Sequence, residues 1–205
     1  KWRCAVCTPG LNPIANLANA LSGQNVLGGG QPVTPDYSLE VEQTLMRSGQ
    51  GLIHAYQGSN IANENLLIII NSFEDLFRYQ SFNPNVQEDD TSNLLIYINL
   101  LLQASREKDM AIYVLISLDE NYMSDCTPFR GLPEAISEGQ FLLPRLNRGN
   151  LKEIISLPLA AQELQIDKEL VNHILEDYND DDNNLPLLAH SLQETWKIWR
   201  EDFDK

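Results

Sequence analysis

Leu66-Leu67-Ile68-Ile69-Ile70 runs straight into Asn71-Ser72-Phe73-Glu74-Asp75-Leu76-Phe77, and this junction restricts the fold more than any other stretch of the chain. Five consecutive aliphatic residues, three of them β-branched, predict a strand buried on both faces, as the strands of a parallel sheet are. The run stops at a polar residue, and the carboxyl ends of parallel strands are where α/β proteins build their sites. That residue is Asn71, whose neutral amide is a poorer ligand for a hard divalent cation than a carboxylate.

A second apolar run, Ala111 to Leu118, and a shorter one, Trp2 to Val6, predict two further strands. Ile14, Leu17, Ala18 and Leu21 recur at helical spacing and predict a helix over Pro13 to Leu21. Val41, Leu45, Leu52 and Ile53 predict another over 39–56, with Ser48-Gly49-Gln50-Gly51 as its weak point. Glu74 to Tyr79 begins a third helix, 84–90 reads as an acidic loop, and 93–105 is a strongly apolar helix. Thr8-Pro9-Gly10 is a turn, and Gly28-Gly29-Gly30-Gln31-Pro32 a flexible loop. Strands separated by helices imply a parallel α/β sheet.

After the third strand, 119–139 reads as a polar loop with a short helix near 132–136, and Phe141-Leu142-Leu143-Pro144 as a fourth short strand. From Leu151 only helical patterns follow, over 151–157, 167–178 with Asp167 as N-cap, and 185–200. A boundary near Asn150 thus separates an α/β core, residues 1–150, from a helical subdomain, residues 151–205. In the last helix Leu185, Leu188, Leu192 and Trp196 form a stripe predicted to pack on Ile154, Ile155, Leu170 and Ile174.

Apolar residues at 43% and charged residues at 21% are enough for a packed core without disulfides. The net charge of −15, from 29 acids against 14 bases, argues against a nucleic-acid surface and serves solubility. No stretch reaches the ~18 apolar residues of a membrane span. No secretory leader pattern opens the chain, and the odd count of three cysteines points to a reducing cytoplasm.

Local motifs that resemble chemistry are better explained by structure. Cys4-Ala5-Val6-Cys7 lies within a strand rather than at a helix N-terminus, and no second pair completes a zinc set, so the thiols read as buried small hydrophobes. His54, His173 and His190 lack metal-ligand spacing with any carboxylate or thiol, and no metal site is expected. Asp177 to Asp182 starts like a calcium loop, but Asp182 and Leu188 stand where its glycine and bidentate glutamate belong. Gly28-Gly29-Gly30 lacks a following Lys-Ser/Thr and is not a phosphate loop.

Read in order, the segments resemble the novel STAND family of signal-transducing P-loop NTPases, bacterial relatives in outline of the NACHT and NB-ARC switch proteins. Trp2-Arg3-Cys4-Ala5-Val6-Cys7-Thr8-Pro9-Gly10, Pro13 and Asn16-Leu17-Ala18 are similar to the family's W-R-x-x-V-x-R-P-G, P and N-L-A. Asn71-Ser72-Phe73-Glu74-Asp75-Leu76-Phe77-Arg78 lies where the family has D-Q-F-E-E-L-F-R, and Ser117-Leu118-Asp119-Glu120-Asn121-Tyr122 where it has T-M-R-S-D-F. Cys126, Gly131 to Ala135, Gly139 to Leu142 and Pro144-Arg145-Leu146 continue the likeness. Leu185-Pro186-Leu187-Leu188-Ala189-His190-Ser191-Leu192 with Thr195-Trp196 is similar to L-P-L-L-x-H-A-L and T-W.

The resemblance implies a P-loop NTPase-like three-layer core followed by a small all-helical lid. It also implies a Walker A loop some tens of residues ahead of Trp2, which these 205 residues do not contain. The departures strike nucleotide chemistry: Asn71 replaces the Mg²⁺-binding aspartate, Asp119 the arginine turned toward phosphate, Asn121 an aspartate, and Thr8 an arginine. Glu74 and Asp75, the family's acidic pair, remain, and so do Pro186 and His190, the lid positions that would contact a nucleotide. The expectation is a degenerate, non-catalytic STAND module, regulatory or scaffolding, with no cofactor of its own. Its partners would be other domains of a larger cytoplasmic signalling or defence protein, or further copies of the chain. The alternative is an ATP- and Mg²⁺-binding switch whose Walker A loop lies upstream.

Overall fold

The computed structural model describes residues 1–61, 63–82, 88–178 and 184–203 and is α/β. It divides into two compact units, Lys1–Gln140 and Phe141–Lys205, and Asn150, the boundary drawn from composition, lies in the first turn of a helix of the second. Among the described residues no helix is long and apolar enough to cross a membrane.

In the first unit, β1 (Trp2–Cys7), β2 (Asn65–Ile70) and β3 (Ile112–Ile116) form a parallel sheet in the order β1-β2-β3. The register sets Cys7 beside Ile70 and Ile70 beside Ile116, so the strands end level. β1 connects to β2 through α1 (Pro13–Leu21), α2 (Tyr37–Met46) and α3 (Gly51–Gln57), and β2 to β3 through α4 (Asp75–Phe82) and α5 (Glu88–Arg106). α1 packs on β1, α5 on β3, and both α1 and α3 pack against α5. Both crossovers therefore lie on one face of the sheet. Parallel crossovers are almost always right-handed, and two that step the same way along a sheet must share a face.

The core lies between that face and its helices. Ala5, Leu66, Ile68, Ile70 and Ile112 from the strands meet Leu17, Leu21, Leu45, Leu52, Tyr97 and Leu100, all buried. β2 is not buried on both faces as the apolar run predicts: Leu67 and Ile69 are half-buried. The same face of the outer strands is open, with Trp2 at 57% exposure, Val6 at 54%, Tyr113 at 49% and Leu115 at 55%. Consecutive strand residues point to opposite faces, and among the described residues of this unit only one face has a helical layer. Cys4 and Cys7 are separated the same way: Cys7 is buried, but Cys4, expected to be a buried hydrophobe, is exposed.

Several local expectations gain a physical reason. The helix over 39–56 breaks where proposed, because a Cβ on Gly51 would lie 2.5 Å from the carbonyl oxygens of Thr44 and Leu45. The glycine loop is a compact turn rather than a free one, and Val26 and Leu27 just ahead of it are buried. Arg3 pins it, donating to the carbonyls of Asn25 (3.1 Å) and Gly29 (3.1 Å) and, through Nε, to Glu64 at 2.6 Å. That carboxylate raises the pKa of Arg3, and the guanidinium holds Glu64 below the ordinary carboxyl range. Glu88, placed in the acidic loop by the sequence, already belongs to α5, and 84–87 lie outside the described residues.

The second unit contains α7 (Arg148–Ala160), α8 (Lys168–Asp177) and α9 (Asn184–Phe203), following α6 (Leu132–Gly139) of the first unit. Asn147 and Asn150 form a reciprocal capping box at the start of α7. Asp167 caps α8 as predicted, its side chain accepting from the Glu169 amide at 2.9 Å. Leu151, Ile155, Val171, Leu175 and Leu188 make the core, with Ile174 and Leu192 packed against it, while Leu185 of the predicted stripe and its predicted partners Ile154 and Leu170 are exposed. Trp196 is only half-buried and stacks on Trp199, ring centroids 5.2 Å apart. Phe141-Leu142-Leu143-Pro144 is not a fourth strand: it has no regular structure and is exposed. Its unit holds only helices among the described residues, so no strand edge is offered for it to complete. The acidic turn predicted at Asp177 to Asp182 lies largely outside the described residues.

Candidate functional site

Because the strands end level, the residues that follow them, Thr8, Asn71 and Ser117, line one rim. The Asn71 amide donates to the Cys7 carbonyl (2.8 Å) and the Ser117 amide to the Ile70 carbonyl (2.9 Å), so the sheet pattern extends into the rim. The turn after β1 is fixed by Asn16, whose Nδ2 donates to the carbonyls of Pro9 (2.8 Å) and Thr8 (3.3 Å).

After Asn71 the chain reverses through Ser72, a non-glycine residue at φ 53°, in the left-handed region. Ser117 holds this turn from the neighbouring strand end. Its Oγ accepts from the Ser72 amide (3.1 Å) and its carbonyl from the Phe73 amide (2.9 Å). The reversal sends Phe73 into the core, where it meets Phe77 edge to face at 5.9 Å. It also buries the side chain of Glu74, whose Oε2 accepts from the backbone amide of Asp119 at 3.3 Å.

Asp119 is engaged locally. Its Oδ1 accepts from the Asn121 amide (2.9 Å) and from Asn121 Nδ2 (2.8 Å), capping a 3₁₀ segment over Glu120–Cys126. Asp75 opens α4 with one oxygen 3.9 Å from the Arg78 guanidinium. Arg78 in turn donates to the Tyr122 hydroxyl (3.0 Å) and lies over that ring, 5.3 Å from its centroid. The hydroxyl contact raises the Arg78 pKa above its ordinary value.

Asn71, Glu74, Asp75 and Asp119 therefore meet at one rim of the first unit. Pro186 and His190 lie one helical turn apart near the start of α9 in the second unit, both exposed. Among the described residues no group of three His, Cys, Asp or Glu side chains could hold a metal ion. Sequence reasoning gave no role to Ser117, Asn16 or Tyr122, which hold the rim together. All three fall within the segments that resemble the family's motifs, which was the signal that could have found them.

The family model described as Novel STAND NTPase 1 matches residues 1–204. No curated protein and no solved structure matches the chain.

Proposed function

The chain belongs to the Novel STAND NTPase 1 family, and from that premise we propose that it is a non-catalytic member, a regulatory or scaffolding module of a larger signalling protein. One observation carries this reading: the acids left at the rim are engaged with the fold itself. Asp119 caps the 3₁₀ segment and Glu74 accepts from the Asp119 amide. Arg78 is directed to Tyr122. A Mg²⁺–nucleotide would require a carboxylate at the strand end, where Asn71 offers an amide, and cations toward the phosphates, where Asp119 offers like charge. The residues at this rim do not fit that ligand, and we derive no hydrolytic step from them.

In this reading residues 1–140 are the remnant of the family's P-loop-like core, and the helical unit is the counterpart of its lid. Pro186 and His190 then serve the lid helix and do not contact a nucleotide. Pro186 lies in the first turn of α9, where its missing N–H costs nothing. The competing reading, an ATP-binding switch completed by an upstream Walker A loop, draws support from the exposed Thr8, Asn71 and Ser117, which leave the strand ends open. Steady-state phosphate release with Mg²⁺–ATP and Mg²⁺–GTP tests the proposal. No turnover above a protein-free blank is expected. Turnover that Glu74→Ala abolishes would overturn it.

A further inference from the structure

We propose that a polar cleft between α5 and α6 binds a small zwitterion, a molecule with the chemistry of a free amino acid. The cleft belongs to the first unit and encloses about 560 Å³, within the range of small-molecule sites. Asn99, Gln103 and Arg106 line it from one face of α5, at i, i+4 and i+7. Arg130, in the turn that opens α6, and Glu134, in its first turn, line it from the other side. Arg106 ends α5 just ahead of β3, so the cleft lies toward the amino end of that strand, away from the rim where the strands finish.

The fold fixes one guanidinium here and leaves the other unpaired. Arg106 Nη2 donates to the Gly131 carbonyl at 3.1 Å. Gly131 has φ 90°, and a Cβ there would lie 2.8 Å from Arg106 Nη2, so the bare Cα lets the guanidinium rest against the turn. A single bond leaves most of the N–H donors of Arg106 for a ligand. Among the described residues, no hydrogen bond or ion pair engages the side chain of Arg130 or of Glu134. Two cations thus converge on one cleft in a chain with 14 bases against 29 acids, and the acid beside them is bonded to neither. Such a lining has a place for a ligand that carries both signs.

Chemistry narrows the ligand further. Guanidinium forks match the oxygens of carboxylates and phosphates. The Glu134 carboxylate repels a dianion, which disfavours phosphate, and when ionised it only accepts hydrogen bonds, which suits an ammonium. The carboxamides of Asn99 and Gln103 both donate and accept, so they serve either end of a zwitterion. Among the described residues lining the cleft none is aromatic and Leu102 is the sole large aliphatic, which disfavours a nucleobase or a lipid chain. The inference concerns a place away from the rim and stands apart from the proposed lack of hydrolysis.

Calorimetric titration of the 205-residue chain with the common free L-amino acids, with glutarate and with inorganic phosphate tests the proposal. At least one amino acid should bind saturably, and more tightly than glutarate, which lacks the amine, or phosphate. Arg130→Gln should weaken that binding at least about tenfold, since a charge-assisted pair is lost, and should leave the ligand-free melting temperature unchanged because Arg130 is exposed and unpaired. Arg106→Lys, which keeps the charge but loses the fork, should weaken it as well. Glu134→Gln should remove the preference for the amine-bearing ligand. Lys108→Gln removes an exposed charge just outside the cleft and should change nothing. No saturation by any amino acid below about 10 mM would overturn the proposal. So would phosphate or glutarate binding more tightly than every amino acid, or Lys108→Gln weakening binding as much as Arg130→Gln, the mark of general attraction.

Discussion

Replacing Asp119 with alanine separates a structural acid from one held ready for a ligand. The carboxylate accepts two hydrogen bonds from Asn121, at 2.9 Å from the amide and 2.8 Å from the side chain, and so caps the Glu120–Cys126 segment. Loss of such a cap costs about 1 kcal/mol, within a range of about 0.5–2. In a unit of this size about 1 kcal/mol lowers the melting temperature by about 2–4 °C. Asp119→Asn retains an acceptor of the same shape and should stay within about 0.5 kcal/mol of the parent. Urea denaturation of both variants in a Trp196→Phe, Trp199→Phe background measures this. There Trp2, in the first unit, is the sole tryptophan. An Asp119→Ala variant as stable as the parent, or more stable, would refute the reasoning, because removing an unpaired acid from an empty cation site relieves the fold.

Three further expectations rest on single contacts. Tyr97 is buried with its hydroxyl unsatisfied beside the Cys7 thiol, a weak partner, and burial pushes its pKa well up, so Tyr97→Phe should be neutral or stabilising by up to about 1 kcal/mol in a chemical melt. Glu64 has its pKa depressed below 4.5 by the hydrogen bond from Arg3, so its contribution is complete at neutral pH and is lost as pH falls from about that value through the folded one. Glu64→Gln should flatten that part of the stability–pH curve, and an unchanged acid limb would count against the pairing. In the second unit Leu188 is in the core and His190 exposed, so Leu188→Ala should cost about 2–4 kcal/mol and His190→Ala less than about 0.5 by thermal melts, with the reverse order assigning His190 a site.

The strands and most helices were legible because apolar runs and helical spacing depend on neighbours along the chain. What escaped depends on neighbours in space. Nothing in Leu66 to Ile70 signals that, among the described residues of the first unit, both crossovers cover the same face, since that follows from strand order and the hand of the crossovers. Phe141 to Leu143 satisfies every local requirement of a strand except a partner edge. In α8 the fully buried positions are Val171 and Leu175; of the expected Leu170 and Ile174, Ile174 packs half-buried against that core and Leu170 is exposed, a difference set by the roll of one helix against another. At the rim the residue identities showed departures from the resembled pattern, but not what each side chain contacts. That Asp119 caps a turn, and that Ser117 and Tyr122 brace Ser72 and Arg78, required the geometry.

The Asn71→Asp, Asp119→Arg double variant tests the central claim most directly, because it returns a carboxylate to the strand end and a cation to the neighbouring one. Without a lysine and a cradle of backbone amides to hold the phosphates, the metal has nothing to bridge. The account therefore predicts no Mg²⁺-dependent phosphate release from the double variant of this chain. Sustained turnover that requires Mg²⁺ and disappears on Glu74→Ala would contradict it.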